Sequence, residues 1–342
     1  MKELLKQLCA LDGVPGYEDE VREFIEKEVK PYADEMIVDA VGNLLVFKKG
    51  AKSRKRPMML TAHMDEVGFL VRDITEDGML KLATAGGIDP RVLIGRRMRV
   101  GADKIPGIIS LKAIHLTTPE ERKHAPGIGS LYIDIGCTGR EQAEALVMRG
   151  DPAMFESRPI EFGVDCLKAK ALDDRIGCAV MIRLLQEDLP YDTWFAFAVG
   201  EEIGSRGATV AARRIQPGCV VAIEGTTAAD MPDVAPHKRS CCQRQGAVVS
   251  IIDKGTVYSR ELRETVLKAA DAKGVKWQYR KSANGGTDAE VGTDAGPGAL
   301  AFGLSAPVRY IHCACNVVYL PDVEEVLKLA RIVNEEAGEL DV

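Results

Sequence analysis

Residues 3–11 and 18–30 carry apolar positions at helical spacing, divided by DGVPGY, where Gly13, Pro15 and Gly16 disfavour helix, and so predict two amphipathic helices. MIVDAVGNLLVFKKG then reads as a hairpin with its turn at Gly42 and Asn43. After a basic loop, AKSRKRP, the run MMLTAHMDEVGFLV has the continuous apolar character of a strand covered on both faces. From about residue 72 the texture changes. Short β-prone runs, GMLKLATAG, RRMRVGADKIPGIISLKAI and LYIDIG, are broken by Gly, Pro and Asp, with one helix signal in REQAEALVM. Near residue 165 helix and strand alternate again, through DDRIGCAVMIRLLQE, TWFAFAV, GATVAARRI, CVVAIE, SRELRETVLKAADAKG, WQYRKS, PGALAFGLS and the final helix DVEEVLKLARIVNEEA. Such alternation predicts an α/β layer structure. Neither flank alone supplies a full sheet, so residues 1–70 and 165–342 are read as one discontinuous domain and 71–164 as a β-rich insertion.

Length and charge narrow the picture. A chain of 342 residues can bury a sizeable core, and its formal net charge of −6 offers no basic footprint for nucleic acid or an anionic membrane. The N-terminal stretch is charged throughout, without the apolar core of a signal peptide, and no later run is as long as a membrane span. A cytoplasmic protein without membrane or nucleic-acid partners is therefore expected. The nine cysteines are scattered; Cys241 and Cys242 are vicinal, and Cys313 and Cys315 are too close for the usual zinc spacing, which points to reduced thiols.

The candidate chemistry lies at strand ends. In FAFAVGEEIGSRGA an apolar strand, Phe195 to Val199, runs into Glu201 and Glu202 between Gly200 and Gly204, where acids are costly to desolvate without a partner. His63 follows MMLTA, Glu224 follows CVVAI and His312 follows APVRYI, and in an open α/β sheet the carboxyl ends of strands share one crevice. His63 and Asp65, at i and i+2, share a face if both lie on a strand, so Asp65 can orient the imidazole. Asp174, before a helix, reads as an N-cap that can pair with Arg175, while Asp173 is the better candidate to bridge two cations. For the adjacent glutamates the spacing suits a division of labour, one ligating a metal and the other, unligated, taking a proton from an activated water. Each residue taken singly also has an ordinary structural reading. Together, two histidines and several carboxylates make a nitrogen and oxygen site suited to zinc, cobalt or manganese. His115, His124 and His237 are read as surface or structural groups, and neither a phosphate-binding GxxxxGK[ST] nor a GxSxG elbow is present.

Through AHMDEVGFLV, IDIGCTGREQAEAL, ALDDRIGCAV, GEEIGSRGA, NGGTDA and PVRYIHC, in family order, the sequence resembles the cytoplasmic dinuclear metallo-aminopeptidases that include glutamyl and deblocking aminopeptidases and the TET peptidases. The resemblance implies a zinc-peptidase α/β fold, a mixed sheet flanked by helices, with residues 71–164 as an inserted β-barrel-like dimerisation domain and dimers assembling into a dodecamer. It makes His63 and Glu224 ligands of one metal and Glu202 and His312 ligands of the other, with Asp173 bridging, Glu201 as general base and Asp65 orienting His63. Two divalent ions per subunit follow from it, zinc first, with cobalt or manganese as alternatives, and so do short peptides as substrates, cleaved at a free N-terminus. The family more usually has Asp where Glu224 stands, so the longer arm bears on metal spacing; IHCAC replaces a commoner Ser-Pro after the histidine and bears on the pocket lining. Some members carry an endoglucanase label, but a glycosidase needs two carboxylates flanking a sugar bond, not two histidines and a bridging Asp. Two rival readings are a deacylase or carboxypeptidase-type amidohydrolase using the same site, and a non-catalytic scaffold with a relic site. The relic reading predicts a missing base or bridge, and both are present.

Overall fold

The computed structural model describes residues 1–293 and 295–340. Helices α1 (Lys2–Ala10) and α2 (Asp19–Val29) bury Leu4, Leu5, Leu8, Val21, Ile25 and Val29, the stripe their spacing predicts. Strands β1 (Glu35–Val38) and β2 (Leu44–Lys48) form the hairpin. Its turn is held by Asp39 Oδ1, which accepts the N–H groups of Val41, Gly42 and Asn43 at 3.0–3.1 Å, with Gly42 at a φ of +106°. Next come β3 (Met58–His63), β4 (Gly68–Ile74), β5 (Leu80–Ala85), β6 (Arg97–Val100), β7 (Ile105–Ser110), β8 (Tyr132–Asp134), α3 (Arg140–Glu144) and β9 (Pro152–Phe155). The chain continues through β10 (Ile160–Phe162), β11 (Cys166–Ala169), α4 (Leu172–Leu185), β12 (Thr193–Ala198), α5 (Arg206–Ile215) and β13 (Cys219–Thr227). It closes with β14 (Ala247–Val249), α6 (Arg260–Ala272), β15 (Trp277–Tyr279), β16 (Leu300–Arg309), β17 (Asn316–Tyr319) and α7 (Leu320–Glu339).

Two sheets result. The larger runs β1-β2-β12-β3-β13-β16-β17-β11-β10, with β14 and β15 joined at β16, and its centre β12, β3, β13 and β16 is parallel. Helices α1, α2, α4, α6 and α7 cover one face, against Leu60, Ala62, Val221 and Phe302; α5 covers the other, against Met59, Ala196 and Val220. Central strands buried on both faces explain their near-continuous apolar sequence. Helix α4 lies so close to β13 that a Cβ on Gly177 would sit 2.0 Å from the Ile223 carbonyl. The second sheet is a closed barrel, β4-β5-β8-β7-β6-β9, around Phe69 and Phe155, which meet edge to face at 5.9 Å. The fold class is thus a mixed α/β structure with a small barrel inserted after β3.

The run MMLTAHMDEVGFLV is not one strand, as its apolar character predicts, but two strands in different sheets. Strand β3 ends at His63; Met64 still gives its N–H to the Ala198 carbonyl of β12, but Glu66 gives its N–H to the Gly13 carbonyl outside the sheet, and Gly68 then starts the barrel. The helix predicted over REQAEALVM is only Arg140–Glu144, after which the chain turns so that Val147 packs into the barrel core.

Candidate active site

The parallel register brings the site together. Ala198 pairs with His63, and Ala222 pairs with Thr61, so Glu224, two residues on, stands level with His63 on the neighbouring strand. Side chains at matched positions of a sheet share a face. Glu224 is therefore not at a strand end, as its apolar lead-in predicts, but inside β13, which continues to Thr227. After β12, Gly200 at a φ of +62° starts a turn that presents Glu201 and Glu202. Asp173 stands where the chain enters α4, and His312 follows β16 in a loop where it has a φ of +58°. A cavity of about 300 Å³ opens here, lined by His63, Asp173, Glu201, Glu224, Arg280 and His312 among others.

The distances define a compact donor set. Asp173 Oδ1 lies 3.5 Å from His63 Nε2, and its Oδ2 lies 3.6 Å from His312 Nε2. His312 Nε2 is also 3.5 Å from Glu202 Oε1, and Glu201 Oε2 is 3.9 Å from His63 Nε2. Ligand atoms of Asp173, Glu202 and His312 all lie within 4.8 Å of one another. Glu224 stands outside that trio, its Oε1 accepting the N–H of Asp288 at 2.8 Å. Both imidazoles are oriented through Nδ1, His63 by the Asp65 carbonyl at 3.1 Å and His312 by the Gly87 carbonyl at 2.9 Å, which leaves each Nε2 turned toward Asp173. The Asp65 carboxylate lies 3.4 Å from His63 Nδ1, and its two oxygens accept the N–H groups of Glu201 and Glu202, both at 3.0 Å. Asp65 thereby ties the exit of β3 to the glutamate turn.

Electrostatically the site holds acids short of cations. Burial pushes the Glu201 carboxyl up to about 9, opposed by His63 and reinforced by Asp288, Glu202 and Asp173. Burial also lifts Glu202 to about 7 against the pull of His312, and raises Glu224 well above the carboxylate range with help from Glu201 and Asp288. Asp173 behaves oppositely: burial raises it, but His312 and His63 outweigh burial and hold it well below its ordinary value. Burial lowers the imidazoles, yet bonds to carboxylates prevail, raising His63 through Asp173 and Asp65 and His312 to about 9 through Asp173 and Glu202.

His63, Asp65, Asp173, Glu201, Glu202, Glu224 and His312 all gather at this edge, whereas His115, His124 and His237 are exposed elsewhere. Asp174 caps the start of α4, its Oδ1 accepting from Gly177 at 2.8 Å, and its Oδ2 accepts from His63 N at 3.3 Å. Arg175 does not pair with Asp174; it turns under the helix to the Leu8 carbonyl at 2.7 Å and to Glu66, at the exit of β3, at 3.7 Å. Several supporting groups escaped sequence reasoning. Asp288 is fully buried, accepts from Thr61 at 3.3 Å and fixes Glu224; Glu18 accepts the Gly200 N–H at 3.2 Å; Asn43 Oδ1 accepts that of Val199 at 3.0 Å. Only Asp288 carried a signal, its place in NGGTDA. The nine cysteines are free thiols.

The sequence profile of the family described as M42 glutamyl aminopeptidase matches residues 42–329. The chain is 30% identical to the lysyl aminopeptidase of Pyrococcus furiosus over 99% of this chain and 98% of that one. An aminopeptidase of the archaeon Desulfurococcus kamchatkensis superposes with a TM-score of 0.93 at 32% identity, over 98% of this chain and 94% of that one. The TET1 peptidase of Pyrococcus horikoshii, described as assembling into a tetrahedron or a large octahedral shell, superposes with a TM-score of 0.86 at 32% identity, over 97% and 98% of the two chains.

Proposed function

The chain belongs to the M42 glutamyl aminopeptidase family, and from that premise we propose that it removes N-terminal residues from short peptides at a pair of divalent metal ions. His63, Asp173 and Glu224 would hold one ion and Asp173, Glu202 and His312 the other. The observation that carries the reading is the position of Asp173, whose two oxygens each face an imidazole Nε2, at 3.5 and 3.6 Å. A carboxylate so placed fits a bridge, and the absence of thiolates from this donor set suits zinc first, with cobalt or manganese as alternatives. When bound, such ions polarise the scissile carbonyl and lower the pKa of water.

The chain's own groups do the rest. Glu201 Oε2, on the His63 side of the cavity, takes the proton of the attacking water as the new C–O bond forms, then returns it to the leaving amine as the C–N bond breaks. Asp65, through the Glu201 N–H, keeps that carboxylate in reach, and Asp65 and Gly87 hold the imidazoles at a fixed angle. The free α-amino group of the substrate is held near the site, which confines cleavage to chain ends. In the same reading the large sheet and its helices form the catalytic domain. The barrel, whose strands span Gly68–Phe155 rather than the expected 71–164 while β10 joins the large sheet, is then a dimerisation domain whose dimers build a dodecamer in the cytoplasm. The P. horikoshii relative supports assembly, and no helix among the described residues is long and apolar enough to cross a membrane.

The test is hydrolysis of aminoacyl p-nitroanilides, free and N-acetylated, by protein stripped with chelator and reloaded with zinc, cobalt or manganese. Metal-dependent release from the free set alone is expected. Release only from the acetylated set would make the protein a deacylase, and silence with every metal would leave a scaffold.

A further inference from the structure

Beneath the cavity lies a second group of buried charge that the proposed reaction does not use. Lys170, on the segment leading to Asp173, has 1% of its side chain exposed and pairs with Glu66 and, at 3.0 Å, with Asp12, which are 3% and 5% exposed. Its Nζ also donates to the Leu11 carbonyl at 2.8 Å. Glu66 Oε1 accepts the Gly13 N–H at 3.2 Å and lies 3.7 Å from Arg175 Nη2. From the barrel, Arg99 on β6 reaches Asp12 Oδ1, and Lys104 lies 3.3 Å from Asp12 Oδ2 and 2.7 Å from Glu20.

What this cluster joins is specific. Glu66 is the residue after Asp65, which holds the N–H groups of Glu201 and Glu202. Lys170 is three residues before Asp173, in a stretch where Ala171 has a φ of +53° and Asp173 and Asp174 are not helical. Both loops leave the sheet in irregular conformations, and the Lys170–Glu66 pair braces one against the other beneath the donor set. Ion pairing as such is a weak source of stability, since desolvation of both charges offsets much of their attraction. What the ion pair supplies instead is a partner of fixed identity and length.

Resting on the two-metal reading above, we propose that Lys170 and Glu66 are positioning residues, which set the separation of the Asp65 and Asp173 loops and so the spacing of the metal donors. Neither touches substrate or reacting atoms. The test compares wild type with Glu66→Gln and with the double variant Lys170→Met/Glu66→Met, measuring thermal melting without metal, cobalt(II) titration by calorimetry and visible absorption, and kcat and KM on an aminoacyl p-nitroanilide well below melting. In the double variant the melting temperature is expected to fall, because Asp12 and Arg175 each lose a buried partner, but the protein is compared folded, well below melting. Its cobalt affinity and kcat should still fall about tenfold, the scale of losing groups that orient ligands, with KM within about twofold. A merely structural pair would predict wild-type cobalt affinity, kcat and KM in the folded double variant, and that result overturns the inference. If the double variant does not fold, Glu66→Gln, which keeps the acceptor for Gly13, decides: an altered cobalt spectrum and weaker binding support positioning, and wild-type values refute it. A wild-type protein that binds no cobalt and cleaves nothing removes the underlying reading and this inference with it, whereas an active wild type with fully active variants removes this inference alone.

Discussion

Two clusters of buried charge, only a few residues apart in the chain, are built on opposite terms. Around Lys170 each carboxylate meets cations of the chain itself: Asp12 has Lys170, Arg99 and Lys104, and Glu66 has Lys170 and Arg175. In the cavity Asp173, Glu201 and Glu202 face two histidines, and among the described residues no lysine or arginine is paired with them or with Glu224. The titration directions record the difference. Burial favours the neutral acid at both places, yet Lys170 and Arg99 hold Asp12 low, while Glu201 and Glu202 are pushed up to about 9 and 7. The first cluster finds its cations within the chain, and the second, on the two-metal reading proposed above, is complementary to cations from outside it.

The largest expected effect tests that complementarity directly. Glu201→Gln should lower turnover by about 10²–10⁴-fold while metal content, read by elemental analysis, stays at the wild-type level; His312→Ala should lose metal as well as turnover. Equal metal loss in both would remove Glu201 from the role of base.

Opposite signs are expected when charge is removed from the two clusters. Lys170→Met alone takes a buried partner from both Glu66 and Asp12 and should cost about 3 kcal/mol in urea unfolding. Glu202→Gln, measured without metal at alkaline pH, should instead add on the order of 1 kcal/mol, because it deletes a charge with no lysine or arginine partner. Equal destabilisation by both substitutions would erase the contrast.

A pH series sharpens it further. Glu201, Glu202 and Asp288 titrate in the folded protein at about 9, 7 and 6, above their ordinary 4.5, 4.5 and 3.8, and His312 at about 9 rather than 6.5. The folded chain then binds more protons than the unfolded chain between about pH 4 and 9, so stability must fall as pH rises through that window. Metal-free protein should melt at a lower temperature at pH 8.5 than at pH 5.5, and added zinc should reverse the trend by replacing the protons. A melting temperature that climbs with pH in the absence of metal would contradict these shifts. The smallest effect is expected at the surface, where Glu161→Gln breaks exposed pairs with Lys2 and Lys6 and should leave melting unchanged.

Much of the site was legible because its residues announce themselves locally. His63, Glu201, Glu202 and His312 each interrupt or follow an apolar run that cannot hold a polar group cheaply, and Asp174 sits where a helix needs a cap. Glu224 was legible as a candidate but not as a residue inside a strand, since its burial depends on Asp288, 64 positions away, for a hydrogen bond. The same holds for the exit of β3, where a largely apolar run crosses a change of sheet at the Glu66 N–H, which goes to the Gly13 carbonyl.

By itself the sequence determined what is periodic or short-range: the amphipathic helices, the Asp39 turn, the apolar central strands and the kinds of donor available. Burial and backbone hydrogen bonding along neighbouring residues fix these, and both are written in adjacent letters. Only the tertiary structure decided the register that sets Glu224 level with His63, the two histidines on opposite oxygens of Asp173, and the pairing of Lys170 with Glu66 rather than with any nearer acid. Those are through-space distances between segments far apart in the chain, and they follow from how strands pair and helices pack rather than from any local preference.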